Sequence, residues 1–95
     1  MSRNYYKLTG KVTKIGEKKN IKRVTSPDLT KVVLTIETDD KQILFAEIRN
    51  KRIELLEKEQ VYEGCFVNID YSFEGSEKNG KRYNNIFIAI IKTVN

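Results

Sequence analysis

The residue types that usually perform catalysis are scarce in this sequence. It contains no histidine, so its single cysteine, Cys65, has no histidine base and few metal co-ligands. Cys65 opens a predicted strand without a basic neighbour, which favours a small structural residue over a reactive thiol. The adjacent Asp39 and Asp40 are more typical of a hairpin turn than of an acid–base pair, and no glycine-rich phosphate-binding motif is present. We therefore expect no enzymatic activity, no metal and no cofactor.

The basic residues are concentrated in the first quarter of the chain. The formal net charge is +5, and residues 1–25 contain eight Lys or Arg against one acidic residue. Residues 26–60 contain six against eight, and residues 61–95 contain four against four. A basic excess confined to one segment indicates a surface that binds a polyanion. The alternative interpretation is a solvated loop that keeps the protein soluble.

Two predicted strands carry aromatic residues at outward positions. On the third strand Phe45 lies between two inward apolar residues, and on the last strand Tyr83 and Phe87 point outward. An exposed ring is a flat apolar surface, and stacking a nucleic-acid base on it is worth about 1–3 kcal/mol. The alternative for Phe45 and Phe87 is a place in the core or in a subunit interface.

Basic residues of two predicted loops flank these rings. Cations that meet phosphates, combined with rings that meet bases, form the pattern of proteins that bind single strands. The predicted nucleic-acid-binding residues are cations of the first loop and the last hairpin together with outward residues of the third and fifth strands: Lys14, Lys18, Lys19, Lys22, Arg23, Phe45, Arg49, Lys78, Lys81, Arg82, Tyr83 and Phe87.

The elements that must position these residues are predicted from the alternation of apolar and polar side chains. Strands are predicted at residues 5–15, 31–38, 42–49, 65–74 and 82–92. A long basic loop is predicted over 17–30, a short helix from Asn50 to the glycine at 64, and a hairpin loop over 75–80. The inward residues are expected to include Phe73 on the fourth strand and Ile90 on the fifth.

This order of elements predicts an all-β fold, a five-stranded Greek-key barrel of the OB type with a short helix between strands 3 and 4. An open α+β sheet and an SH3-like barrel are the alternatives, and the position of the helix argues against the SH3-like barrel. A length of 95 residues fits one domain spanning residues 1–95.

The composition predicts a cytoplasmic protein. The mean hydropathy is −0.54 and no long apolar run occurs, so no membrane span is expected. No apolar signal core follows Met1, and one cysteine cannot form an internal disulfide.

Five segments that together span nearly the whole chain carry a resemblance to a known family. They are Leu8–Ile15, Gln42–Ile48, Leu55–Leu56, Val61–Ile69 and Gly80–Ile86. In this order they resemble the first strand, third strand, helix, fourth strand and last hairpin of the bacterial single-stranded DNA-binding proteins and their short OB-fold relatives. The resemblance implies a role in DNA replication, a mobile element or a phage system.

The resemblance also carries expectations about single residues and about assembly. Phe45 and Arg49 fall near positions where the family places stacking aromatics. The family's homo-oligomers imply a dimer or tetramer here, for which the outward Ile43 and Phe87 are candidate contacts. Two departures matter: the chain has no tryptophan, which the family uses for stacking, and it stops at Asn95 without the family's acidic tail. We therefore expect a short relative without the role of recruiting replication partners.

The sequence thus predicts a non-enzymatic protein that binds single-stranded nucleic acid, with DNA as the first ligand and RNA as the alternative. The competing hypothesis is an OB-fold module for protein–protein interaction or assembly. It is favoured by the acidic residues between positions 37 and 59, among them Glu47 on the candidate binding face.

Overall fold

The computed structural model describes residues 4–22, 24 and 27–94, with the backbone alone at Ser76 and Lys78. Strands dominate it, namely β1 Tyr6–Ile15, β2 Lys19–Ile21, β3 Leu29–Glu37, β4 Ile43–Arg49, β5 Phe66–Lys78 and β6 Lys81–Thr93. The helical segment between β4 and β5 consists of a 3₁₀ turn, Asn50–Ile53, followed by a single-turn helix α1, Glu54–Lys58. Neither helical piece is long and apolar enough to cross a membrane.

The strands form one sheet in the order β1-β5-β6-β4-β3-β2, and β1 also pairs with β3. The five long strands are therefore linked in a continuous ring of pairings. All pairs are antiparallel except β4–β6, where Ala46 lies beside Ile86 and Glu47 beside Phe87.

The core follows from strict alternation on the two central strands. On β3, Val32, Leu34 and Ile36 are at most 4% exposed, and on β4 Ala46 and Ile48 are completely buried. Each fully buried aliphatic side chain of this size contributes about 1.5–3 kcal/mol. The strands β1, β5 and β6, together with Cys65 just before β5, complete the core with Val12, Cys65, Val67, Ile69, Ile88 and Ile91. The burial of Cys65 agrees with a structural role, and its Sγ accepts a hydrogen bond from the Tyr62 backbone N–H at 3.4 Å.

The last hairpin differs from the prediction of a six-residue loop. β5 and β6 stay paired to Lys78 and Lys81, and only Asn79 and Gly80 form the turn. Both have positive φ, 53° and 77°, the backbone that a two-residue type I′ turn requires. Because β1 leaves β5 at Tyr71, the remainder of this hairpin extends beyond the ring of strands.

A β-bulge on β6 makes two predicted core positions wrong. Asp70 pairs with Ile90 but Tyr71 pairs with Ile88, so Ala89 is the extra residue. An extra residue reverses the alternation, which turns Ile91 inward and leaves Ile90 47% exposed. Phe73 is 51% exposed, since it lies on the part of β5 that no longer pairs with β1.

The predicted long loop also contains a strand. β2 pairs with the start of β3, with Lys19 opposite Lys31 and Ile21 opposite Leu29. The basic segment is therefore held against the sheet at these residues and is not a free loop over its whole length.

Candidate nucleic-acid interface

The outer face of β3 and β4, the side opposite the core, carries exposed apolar side chains and charged residues. Phe45 and Ile43 are 65% and 59% exposed, and they lie directly opposite Thr35 and Glu37 of β3. The alternation that buries Ala46 and Ile48 therefore places Phe45 outward, as predicted. We call this surface the candidate interface.

Lys14 lies in the same row as the Phe45 ring. β1 pairs Lys14 with Thr35, and β3 pairs Thr35 with Phe45, so the three residues cross three strands on one face. At about 4.8 Å per strand, the Cα atoms of Lys14 and Phe45 are about 10 Å apart. A bulge at Thr13 produces this arrangement, because strict alternation from the buried Val12 would have turned Lys14 inward.

Lys11 reaches the same face and was missed by the sequence prediction. It pairs with Glu37, which lies opposite Ile43, so it sits one row beyond Lys14. The alternation of β1 indicated that Lys11 points outward. Which strand it would lie beside depends on the β1–β3 register, for which the sequence holds no local signal.

The basic segment supplies a third row. Lys19 of β2 is exposed and pairs with Lys31, which in turn pairs with Arg49. Lys18 and Lys22 flank β2 and are exposed. The predicted binding residue Arg23 lies outside the described residues, as does the side chain of Lys78.

Arg49, predicted as a nucleic-acid ligand, is held by neighbouring side chains. Its Nε donates to Glu47 Oε1 at 3.1 Å, and its Nη1 lies 3.4 Å from Glu74 Oε2. Glu47, only 9% exposed, also forms an ion pair with the Lys31 ammonium at 3.7 Å. Two cations and two carboxylates cancel, so this network adds no net charge to the face.

Phe87, unlike Phe45, contacts the arginine of this network. The Arg49 guanidinium carbon lies 5.2 Å from the centroid of the Phe87 ring, a cation–π contact. The Phe87 side chain is only partly exposed. The contiguous apolar surface of this face is therefore Ile43 with Phe45, and not Ile43 with Phe87.

The last hairpin contributes Tyr83, which is 48% exposed. Alternation along β6 places it on the same face as Phe87, which lies beside Glu47 of β4. Arg82 points to the opposite face, where its Nε is 3.9 Å from Glu77 Oε2. Lys81 is exposed next to the turn. Of these three predicted residues, the structure brings only Tyr83 and Lys81 to the side of the candidate interface.

An open hollow of about 410 Å³ lies at the Arg49 end of this face. We call it the Arg49 hollow; its lining residues are Tyr5, Leu29, Arg49, Asn50, Arg52, Glu74, Phe87 and Ile88. Tyr5 is half exposed, and the sequence prediction placed it only at the start of a strand.

The structure also contains a cluster of three aromatic rings that the sequence analysis did not predict. Tyr6, Tyr71 and Phe73 lie with ring centroids 5.4–5.8 Å apart, on the face of β1 and β5 that continues into the core. Each such ring pair adds about 0.5–1.5 kcal/mol of stability beyond the burial of its area, so this cluster stabilises the end of the β1–β5 pairing. It is not on the outer face with Phe45.

Comparisons by sequence find no matching family model and no matching curated protein. Solved structures do match. The second OB-fold domain of replication protein A from Methanococcus maripaludis has a TM-score of 0.67 at 13% identity, over 97% of this chain and 85% of that one. A mitochondrial single-stranded DNA-binding protein of S. cerevisiae has a TM-score of 0.65 at 10% identity, over 98% and 97% of the two chains.

The N-terminal domain of PriB from Thermoanaerobacter tencongensis, solved as a dimer, has a TM-score of 0.55 at 18% identity, over 97% of each chain. Identities this low show the fold alone. The chain therefore has a mostly β, OB-like fold with one short helical segment, and the predicted fold type is confirmed at this level.

Proposed function

We propose that this chain binds single-stranded nucleic acid, with DNA as its main ligand, and performs no catalysis. The strand crosses the candidate interface on an OB-fold Greek-key barrel that the β1–β3 and β4–β6 pairings close. The observation that carries the proposal is the Phe45 ring, 65% exposed on a sheet face and in one row with Lys14.

The exposed ring suits an occupant that is flat and apolar on its faces. Phe45 is 65% exposed, and Ile43 beside it is 59% exposed. A nucleic-acid base has an apolar face of this kind, and stacking tolerates every base. Paired bases in a duplex hide their faces against each other, which favours single strands.

The cations around the ring are available for phosphates. The ion pairs found among the described residues involve neither Lys11, Lys14 nor Lys19, whereas they hold both Lys31 and Arg49. Phosphate contacts of this kind supply most sequence-independent affinity and release counterions. The strand is thus expected to follow the lysines of β1 and β2 with its bases turned to Phe45.

A titration of labelled oligo-dT, oligo-rU and duplex DNA at two salt concentrations tests the proposal. We expect micromolar or tighter binding of the single strands at about 50 mM salt, weaker binding of duplex, and a log–log salt slope of about −0.7 per phosphate contact. Oligo-rU against oligo-dT decides between RNA and DNA. Equal affinity for duplex and single strands, or no binding at about 50 mM salt, contradicts the proposal.

A second candidate function is assembly through the same face. The neighbouring exposed side chains of Ile43 and Phe45 form an apolar patch, and the charge-neutral network around Glu47 suits a protein surface better than a phosphate. Light scattering on wild type and on Ile43→Ser decides it. A mass of several 11.1 kDa chains that Ile43→Ser lowers supports the assembly role, and a single-chain mass at high concentration excludes it.

A further inference from the structure

The guanidinium of Arg49 is fixed in place on three sides. Glu47 and Glu74 bind two of its nitrogen atoms at 3.1 and 3.4 Å, and its central carbon lies over the Phe87 ring, 5.2 Å from the centroid. Its side chain is 20% exposed. A guanidinium is planar, so one that three neighbours hold in a single orientation can serve as a fixed flat surface for stacking.

The surroundings of this flat surface suit a neutral, flat ligand. The lining of the Arg49 hollow is more polar than apolar, with Tyr5 and Leu29 on its apolar part, and its volume of about 410 Å³ lies within the size range of small-molecule sites. An anion would meet the carboxylates of Glu47 and Glu74, which already compensate the charge of Arg49. A phosphate is therefore a poor ligand for this arginine.

One polar group in the hollow is oriented for hydrogen bonding. The Asn50 Oδ1 accepts the Thr30 backbone N–H at 3.1 Å, and the hydrogen bonds found among the described residues do not include its Nδ2, which can donate to another acceptor. Carbonyl oxygens and ring nitrogens on the edges of bases are acceptors of this type. Arg52 also lines the hollow, and the ion pairs of the described residues do not include it.

From this geometry we infer that the Arg49 hollow binds one nucleobase of the bound strand. The base stacks on the plane of the Arg49 guanidinium beside Tyr5, Asn50 donates to the edge of the base, and Arg52 meets the phosphate of the same nucleotide. Arg49 is then a stacking platform and not a phosphate ligand. This inference rests on the proposed function, and it adds a second base site at the far end of β4 from Phe45.

Substitutions that keep the charge separate the two roles of Arg49. Arg49→Lys retains the cation but removes the flat surface, so oligo-dT affinity should fall about tenfold while the salt slope stays unchanged. Tyr5→Leu should weaken binding about fivefold, and the matched control Tyr62→Leu, an exposed tyrosine outside the candidate interface, should change nothing. Full affinity in both Arg49→Lys and Tyr5→Leu overturns the inference.

A measurement on the wild-type protein keeps the inference testable if Arg49→Lys is unstable. In ¹⁵N NMR spectra the Arg49 Nε–H, protected by Glu47, should shift on addition of oligo-dT and remain protected, together with the Asn50 side-chain amide. If resonances near Phe45 shift while these two stay unchanged, the Arg49 hollow does not bind a base and the proposed function stands. If no resonance shifts with any nucleic acid, the proposed function itself fails.

Discussion

Two phenylalanines share the outer face of this sheet, and their surroundings differ in one respect that decides what each can do. Phe45 is bare and lies in a row with Lys14, which forms no ion pair with the described residues. Phe87 lies under the guanidinium of Arg49, which two carboxylates neutralise. Counting aromatic and basic residues does not distinguish these regions. The two regions differ in whether the neighbouring cation is neutralised by carboxylates of the protein or is available to a ligand.

The largest effect that separates the two rings is on stability. Phe87→Ala should lower the free energy of unfolding by about 2–3 kcal/mol, less than the 3–5 kcal/mol of a fully buried ring because Phe87 is partly exposed. Phe45→Ala should change it by about 0.5 kcal/mol at most, as for other surface sites. Urea unfolding of both variants measures the difference. Similar losses for the two variants would mean that Phe45 is also a packing residue.

The next effect concerns the ion-pair network around Glu47, which neutralises the cations near Phe87 but not those near Phe45. Glu47→Gln leaves Arg49 with Glu74 alone and removes the ion-pair partner of Lys31. We expect a loss of about 1–2 kcal/mol of stability, reduced because these side chains keep some exposure. The same change frees the charge of Lys31 and should steepen the salt slope for oligo-dT by up to about 0.7. Glu77→Gln, on the opposite face of the hairpin, is the matched control. An unchanged slope would show that Lys31 is out of reach of the strand.

The smallest effect on stability is expected from the basic segment. Replacing Lys18, Lys19 and Lys22 together with Gln should reduce the salt slope by up to about 2 without changing stability. Lys7, Lys58 and Lys92 replaced with Gln give a control of equal charge, and Lys7 and Lys92 line a different hollow on the β1–β5–β6 surface. Equal changes in the two triple variants would mean that only net charge matters.

Local pattern predicted most of the fold and only part of the candidate site. Alternation is a local property, so the strands around Leu34 and Ala46 and the outward position of Phe45 were predictable. The Asn79-Gly80 turn also has a local signal, which the prediction of a longer loop overlooked. The bulges at Thr13 and Ala89 have no comparable signal, and they decide which face Lys14 and Ile90 occupy.

The ion pairs of Arg49 could not be predicted from the local sequence pattern, because one of them depends on a distant strand. Glu74 is 25 residues away and reaches Arg49 only through the β4–β6 and β5–β6 registers. The parallel β4–β6 contact comprises two residue pairs, so it leaves almost no trace in the sequence. Pairing between distant strands therefore decides which charges remain free.

The most direct test of the account is the affinity of Phe45→Ala for oligo-dT across a series of salt concentrations. The ring meets bases and not phosphates, so the variant should lose about 1–3 kcal/mol of binding free energy with an unchanged salt slope. Tyr62→Ala should bind like the wild type, and the melting temperature of each variant shows that it is folded. If folded Phe45→Ala binds oligo-dT as tightly as the wild type, the outer face of β4 is not where the strand stacks.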